Sequence, residues 1–250
     1  MITPMPTAGL VVIGDEILSG KVTDSNTPFL IGELRALGVA LRQIHVVPDV
    51  LDEIAAAVRA AAGRYDHVFT SGGVGPTHDD LTISGVALAF AVPVVRHPEL
   101  EAGLRGYYQS RGQALVERNL RMADVPEGAT LLKADHLAWP VLAMRNVYIL
   151  PGVPEIFRAK FVAIRERFRD APFHLRQIFV REEEGIIARH LDEVAARYPQ
   201  VALGSYPRFS PAADGHRVKL TLEGKGTQDV DAACQALCDL LGPACVVATA

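Results

Sequence analysis

Three apolar, strand-like runs, GLVVIG over 9–14, ALRQIHVV over 40–47 and DHVFTS over 66–71, are each followed by a turn and then by a helix-patterned segment. The helical segments cover Pro28–Leu37, stopping at Gly38, then about Leu51–Ala62 and about Leu81–Phe90. Short apolar runs alternating with amphipathic helices leave few solutions: a mostly parallel sheet, its strands buried on both faces by helices. The expected architecture is therefore a three-layer α/β/α unit. Beyond it, Pro98–Met122 reads as two short helices interrupted by Gly103, Gly106 and Gly112. Trp139–Met144 and Asn146–Leu150 read as strands joined tightly at Arg145, and a helix from Pro154 to about Arg169 follows.

The pattern changes after Asp170-Ala171-Pro172. His174–Val180, Glu184–Tyr198, Val201–Ser205, His216–Glu223 and Gln228–Leu241 run strand, helix, strand, strand, helix, which predicts a small C-terminal α+β domain over 171–250 beside the α/β domain of 1–170. At 250 residues, with 49% hydrophobic and 22% charged side chains, the chain can bury two cores. A net charge of −4 with no basic stripe argues against nucleic acid. No apolar run reaches the roughly 20 residues needed to cross a bilayer, and the opening MITPMPTAG lacks a leader pattern, so a cytoplasmic protein without a membrane partner is expected. Cys234, Cys238 and Cys245 lack a second ligand cluster and read as small buried hydrophobes.

In an open α/β sheet, ligands gather beyond the carboxyl ends of the strands. Three junctions there carry chemistry. The first, Gly14 to Asn26, holds Asp15, Lys21 and Asp24; it is not a Walker loop, because five residues separate Gly14 from Gly20 and Val22 stands where a magnesium-binding hydroxyl is needed. The second runs Ser71-Gly72-Gly73-Val74-Gly75-Pro76-Thr77-His78-Asp79-Asp80. Glycines let backbone amides approach an anion, and the helix that follows adds unpaired N–H groups. The dinucleotide fingerprint is excluded by His78 at the third glycine position. Thr77-x-x-Asp80 also reads as a capping-box-like pair that merely starts a helix. The third, Leu150-Pro151-Gly152-Val153-Pro154-Glu155, places another helix start on the same edge.

Carboxylates at Asp15, Asp24, Asp79 and Asp80 would repel a pyrophosphate unless a cation intervened, so a divalent ion, magnesium, manganese or cobalt, is expected with Asp80, Asp24 and Asp15 as its ligands. Gly14, Lys21, Asn26, Gly72, Gly73, Gly75, Pro76, Thr77 and Gly152 form the expected phosphate seat, and Asp80, Asp79 and Asp15 the catalytic set. His78 beside the acidic pair, the Arg118–Asn119–Arg121 face and Trp139 are secondary candidates, balanced by solvated-surface readings for the first two and a core reading for Trp139.

GDEILSGKVTDSN, SGGVGPTHDD and LPGVPE together resemble the molybdopterin-binding-like domain of the competence/damage-inducible protein A family. WPVLAMRNVYILPGVPEIF, with ALGSYP and VKLTLE later, is similar to the FAD-hydrolase half of eukaryotic FAD synthases. The competence-type segment Asn-x-x-Gly-Thr-Ala-Pro-Gly is replaced here by Ala134–Val141, which favours the second branch. The resemblance implies metal-dependent handling of an adenosine-linked pyrophosphate by a homo-oligomer: a nucleotide pyrophosphatase acting on FAD or ADP-ribose. A non-hydrolytic molybdopterin or adenylylated-pterin binding protein of molybdenum cofactor metabolism is the alternative, and a scaffold with a vestigial site is the third reading.

Overall fold

The computed structural model describes residues 5–250, and the chain falls into two compact units divided between Asp170 and Ala171. The first four residues of the MITPMPTAG opening, on which the leader expectation rests, lie outside the described residues. In chain order the first unit runs β1 (Thr7–Ile13), α1 (Asp15–Leu18), α2 (Asn26–Ala36), β2 (Ala40–Val47), α3 (Leu51–Ala62), β3 (His67–Ser71), α4 (Thr82–Ala89) and β4 (Val94–Arg96). It continues with α5 (Pro98–Ser110), α6 (Glu117–Leu120), β5 (Asp124–Pro126), β6 (Thr130–Leu132), β7 (Val141–Met144), β8 (Val147–Leu150) and α7 (Pro154–Ile164).

Six strands form one sheet in the order β2-β1-β3-β8-β7-β6. β2, β1, β3 and β8 are parallel, whereas β7 and β6 turn back antiparallel at one edge. Alternation along β1 shows the three layers: Val11 and Ile13 join a core with α3, α4 and α5, while Ala8, Leu10 and Val12 face the other way into a core with α2 and α7. β3 divides in the same manner, Val68 to the first core and Phe69 to the second. The mostly parallel α/β/α sheet read from the sequence is the observed one.

Several local expectations are corrected. The polar stretch after β1 is not all loop, since Asp15–Leu18 closes one helical turn. The strand expected from Trp139 begins only at Val141, because the carbonyls of Trp139 and Pro140 accept from Lys160 Nζ instead of entering a ladder. The helix expected to reach Arg169 leaves α geometry after Ile164 and ends in a tighter turn over Arg165–Phe168. β4 and β5, three residues each, pair with one another, and β6 extends the main sheet; none of the three was legible.

The second unit contains β9 (His174–Val180), α8 (Glu184–Arg197), β10 (Ala202–Pro207), β11 (Val218–Gly224), α9 (Thr227–Leu241) and β12 (Val246–Thr249). Its antiparallel sheet, ordered β10-β11-β9-β12, packs Ile178, Leu220 and Leu222 against Ile187 and Val194 of α8 and Val230, Ala233 and Leu237 of α9. The α+β pattern is as expected, with β12 as an unforeseen edge strand. Cys245 is buried and Cys234 and Cys238 are half-buried free thiols, each raised in pKa by burial. No helix among the described residues is long and apolar enough to cross a membrane.

Candidate functional site

Because β1, β3 and β8 run parallel, the segments that leave their carboxyl ends emerge along one edge of the sheet, and side-chain chemistry binds them together. Asn26, at the start of α2 and buried, donates from Nδ2 to Ser71 Oγ at 3.0 Å and to the Gly152 carbonyl at 2.8 Å. One amide thus ties the first loop to the second and the third. Asn26 was expected to touch phosphate; its amide nitrogen instead holds the loops in place. The Gly72 N–H donates to the Leu150 carbonyl, and Thr82 Oγ1, at the first residue of α4, donates to the Gly72 carbonyl at 2.7 Å.

Gly72 and Gly73 have φ of 106° and 61°, the left-handed region that side chains resist. A Cβ on Gly72 would lie 2.1 Å from the Ile13 carbonyl oxygen, and one on Gly73 would lie 2.4 Å from Thr82 Oγ1. Farther along, a Cβ on Gly75 would meet Asp80 Oδ2 at 2.5 Å, and one on Gly152 would stand 3.3 Å from Gly72 Cα. Backbone therefore packs on backbone where strands β1, β3 and β8 end. Asp80 Oδ2 accepts from the Thr77 N–H at 2.8 Å and from the Thr77 hydroxyl, closing the 77–80 turn around Pro76. Since α4 starts only at Thr82, the Thr77–Asp80 pair shapes the loop and is not the first turn of the helix. Arg121 Nη1 donates to the Thr77 carbonyl at 3.0 Å and fixes the same turn from outside.

Acidic groups form a rim around this cradle. Asp15 and Glu16 open α1, and the Asp15 N–H donates to Asp49 Oδ2 at 2.9 Å. Burial, followed by the neighbouring charges of Glu16, Asp15 and Asp79, raises the Asp49 carboxyl above its ordinary pKa against the pull of the Asp15 N–H. Asp79 is exposed and lies 3.7 Å from His78 Nδ1. Asp24, by contrast, accepts from the N–H groups of Asn26 and Thr27 at 2.8 and 3.1 Å, so its carboxylate is taken up by the first two amides of α2 from one residue before the N-cap Ser25. The structure thus corrects the expected ligand set: Asp15, Asp24 and Asp80 are not gathered, and among the described residues no three His, Cys, Asp or Glu side chains form a ready cage. Lys21 is exposed on the first loop. A cation of the magnesium kind, which uses one or two carboxylates and completes its shell with water and substrate phosphate, would find the exposed Asp15 and Asp79 here.

Beside the cradle lies a cavity of about 160 Å³, lined by Gly73, Val74, Gly75, Asp80, Trp139 and Lys160 among others. Lys160, on α7, is buried; Nζ donates to the Trp139 carbonyl at 3.0 Å and to that of Pro140, and burial pushes its pKa down to about 8. Trp139 is half-buried, packing on the first core as the core reading expects while also lining the cavity.

Residues 9–169 match the family described as a probable molybdopterin binding domain. The chain belongs to that family. Residues 172–250 match a second family, the middle domain of FAD synthase. A probable FAD synthase of Caenorhabditis briggsae is 35% identical over 94% of this chain and 49% of its own length, and a CinA-like protein of Myxococcus xanthus is 32% identical over 91% and 56%. The chain thus spans about half the length of these curated relatives. A crystal structure of CinA from Thermoplasma acidophilum, described as of unknown function, superposes with a TM-score of 0.59 at 32% identity, covering 66% of this chain and 98% of that one.

Within this molybdopterin-binding-type domain, Gly14, Asn26, Gly72, Gly73, Gly75, Pro76, Thr77, Asp79, Asp80 and Gly152 belong to three loops that meet on one edge, with Asp15 beside them through Asp49. Asp49 and Lys160 were missed. Asp49 carried a usable signal, since it follows β2, a fourth strand ending on the same edge. Lys160 carried none, because a lysine inside an amphipathic helix reads as solvent-facing.

Proposed function

We propose that this edge of the sheet hydrolyses the pyrophosphate of FAD, ADP-ribose or a related adenosine diphosphate-linked compound. The observation that carries the reading is the pairing of a rigid glycine cradle, Gly72–Gly75, with an acidic rim in which burial, and then the charges of Glu16, Asp15 and Asp79, raise the Asp49 carboxyl. Amides on one side suit phosphoryl oxygens, and carboxylates on the other suit a cation and a water. Strong similarity to probable FAD synthases along 94% of the chain supports a flavin-linked substrate.

In this mechanism a water oxygen adds to one phosphorus as the bond to the bridging oxygen breaks, and that oxygen leaves with the nucleoside monophosphate. Asp79 accepts a hydrogen bond from the water and takes up the proton it releases, which passes to solvent. The Gly73–Gly75 amides offset charge on the phosphoryl oxygens, and Thr77 keeps Asp80 oriented toward Gly75. A divalent ion held by the substrate phosphates and one or two of the carboxylates of Asp15, Asp49 and Asp79 would supply charge neutralisation and a more acidic water.

Product analysis tests this reading: purified protein with FAD or ADP-ribose and magnesium, manganese or cobalt should release AMP together with FMN or ribose phosphate, and a chelator should stop it. Absence of products under every condition sinks the hydrolytic reading. The family match to a probable molybdopterin binding domain favours a second reading, retention of a pterin or adenylylated pterin without turnover, for which pterin affinity in the absence of products is the expected result.

A further inference from the structure

We infer that the cavity between Gly73, Trp139 and Lys160 seats one flat nitrogen-containing aromatic ring of the ligand, with Lys160 donating an ammonium N–H to an acceptor on that ring. The identity of the ligand rests on the pyrophosphatase reading; the ring seat rests on the cavity itself. At about 160 Å³ the space is smaller than the roughly 300–1,000 Å³ of pockets that enclose whole ligands, so it holds a part. Its walls are mostly apolar, from Val74, Ile83, Met122, Leu142, Ile149 and Ile156, with the indole of Trp139 among them. Such walls repel a phosphate and suit a ring face.

Four charged residues line the cavity, and three are already committed. Asp80 holds Thr77, Arg121 holds the Thr77 carbonyl, and Asp124 pairs with Arg96 at 2.5 Å. Lys160 has only two neutral carbonyls, with no carboxylate paired to it among the described residues, and an ammonium has three N–H donors. A cation sunk among apolar walls without a counter-charge is costly unless a ligand completes its bonds. Position agrees: Lys160 lies six residues beyond Pro154, about 9 Å along α7 from the helix start beside Gly152, which leaves the length of a sugar between phosphate cradle and ring.

Trp139 is the only tryptophan, so its emission reports on this cavity alone. The full chain is titrated with adenosine, riboflavin, neopterin and inorganic pyrophosphate. A ring compound should change the emission saturably and pyrophosphate should not; the compound that binds says whether the base, flavin or pterin end enters. In Lys160→Met the affinity for that compound should fall about ten-fold. Should that variant fail to fold, the parent protein carries the test: affinity should weaken between pH 7 and pH 9 as Lys160 loses its proton, the other charged residues lining the cavity being Asp80, Asp124 and Arg121. No saturable response to any ring compound, or a response indifferent to both Lys160→Met and pH, overturns the ring seat. Hydrolysis assayed in parallel separates the two ideas: products without a ring response strike only the seat, and a Lys160-dependent ring response without products strikes only the pyrophosphatase reading.

Discussion

On the same edge of the sheet, the cradle and the rim are held in opposite ways. Gly72 is buried, its N–H and carbonyl both bonded, and the buried amide of Asn26 clasps both neighbouring loops. Asp15 and Asp79 stand exposed, and the Asp49 carboxyl is raised by burial and then by the charges of Glu16, Asp15 and Asp79. The cradle is held by bonds within the chain, whereas the rim is an exposed set of like charges, which we propose a cation completes. An anion site of fixed dipoles costs no reorganisation when charge arrives, while a set of like charges is stabilised only when a cation joins it. The two regions should therefore respond differently to substitution: the cradle through stability, the rim through cation and substrate.

The sharpest break is Gly72→Ala. A methyl group 2.1 Å from the Ile13 carbonyl, on a backbone with φ of 106°, forces β1 and β3 apart where they end. A loss of about 4 kcal/mol, on the order of 10 °C in melting temperature, is expected together with loss of ligand binding. A melting curve within about 2 °C of the parent would show that the cradle is not the rigid element described. Asn26→Ala comes next. It deprives Ser71 Oγ and the Gly152 carbonyl of their shared donor, so a loss of about 1–3 kcal/mol is expected, with weaker binding of anions but no change in the metal concentration that supports turnover.

How the parts were legible in the sequence follows the same division. β2 was readable to the residue, as Ala40–Val47, because Ile44, Val46 and Val47 favour a strand between Gly38 and Pro48, and α3 was readable because Ile54, Ala55, Val58 and Ala61 keep helical spacing toward one core. Glycine-rich loops were legible as a cradle since only glycine tolerates the contacts that Gly72 and Gly73 make. What escaped depends on contacts distant in sequence. β4 and β5 are three-residue strands that exist only through each other, across some thirty residues, and their composition carries no period to detect. Asp24 looked like a metal ligand because its capping bonds to Asn26 and Thr27 are invisible in a string of letters, although the Asx pattern two residues before a helix start is a signal that favours a cap. Lys160 escaped because the carbonyls that bury it come from the Trp139–Pro140 corner some twenty residues earlier.

Asp79→Asn separates rim from cradle most directly. The side chain is exposed and pairs with His78 at 3.7 Å, so the melting temperature should stay close to that of the parent. Turnover of FAD or ADP-ribose with metal should fall by about 100-fold if Asp79 takes the proton from water, with KM little changed. Unchanged kcat would remove Asp79 from the chemistry and leave only Asp15 and Asp49 on the rim.

The smallest effect is the most informative about charge. Asp49 has a folded pKa raised by burial and by Glu16, Asp15 and Asp79, so the folded protein binds this proton more tightly than the unfolded chain does. Its ionisation therefore costs folding energy above the folded pKa, and the cost fades as pH falls through that value toward the unfolded one. Asn keeps an acceptor for the Asp15 N–H while removing the charge, so Asp49→Asn should raise the melting temperature by about 1 °C at pH 7, a gain well under 1 kcal/mol for a half-exposed group. The gain should vanish below about pH 3, where the carboxyl is protonated in both states. Magnesium or manganese should raise the melting temperature of the parent and close the same gap at pH 7, since a cation bound only to the folded rim stabilises it by mass action and does so more strongly where the extra carboxylate remains. A gap that persists in saturating metal would mean that the repulsion at Asp49 is relieved by something other than a cation, and the cradle alone would then have to account for substrate binding.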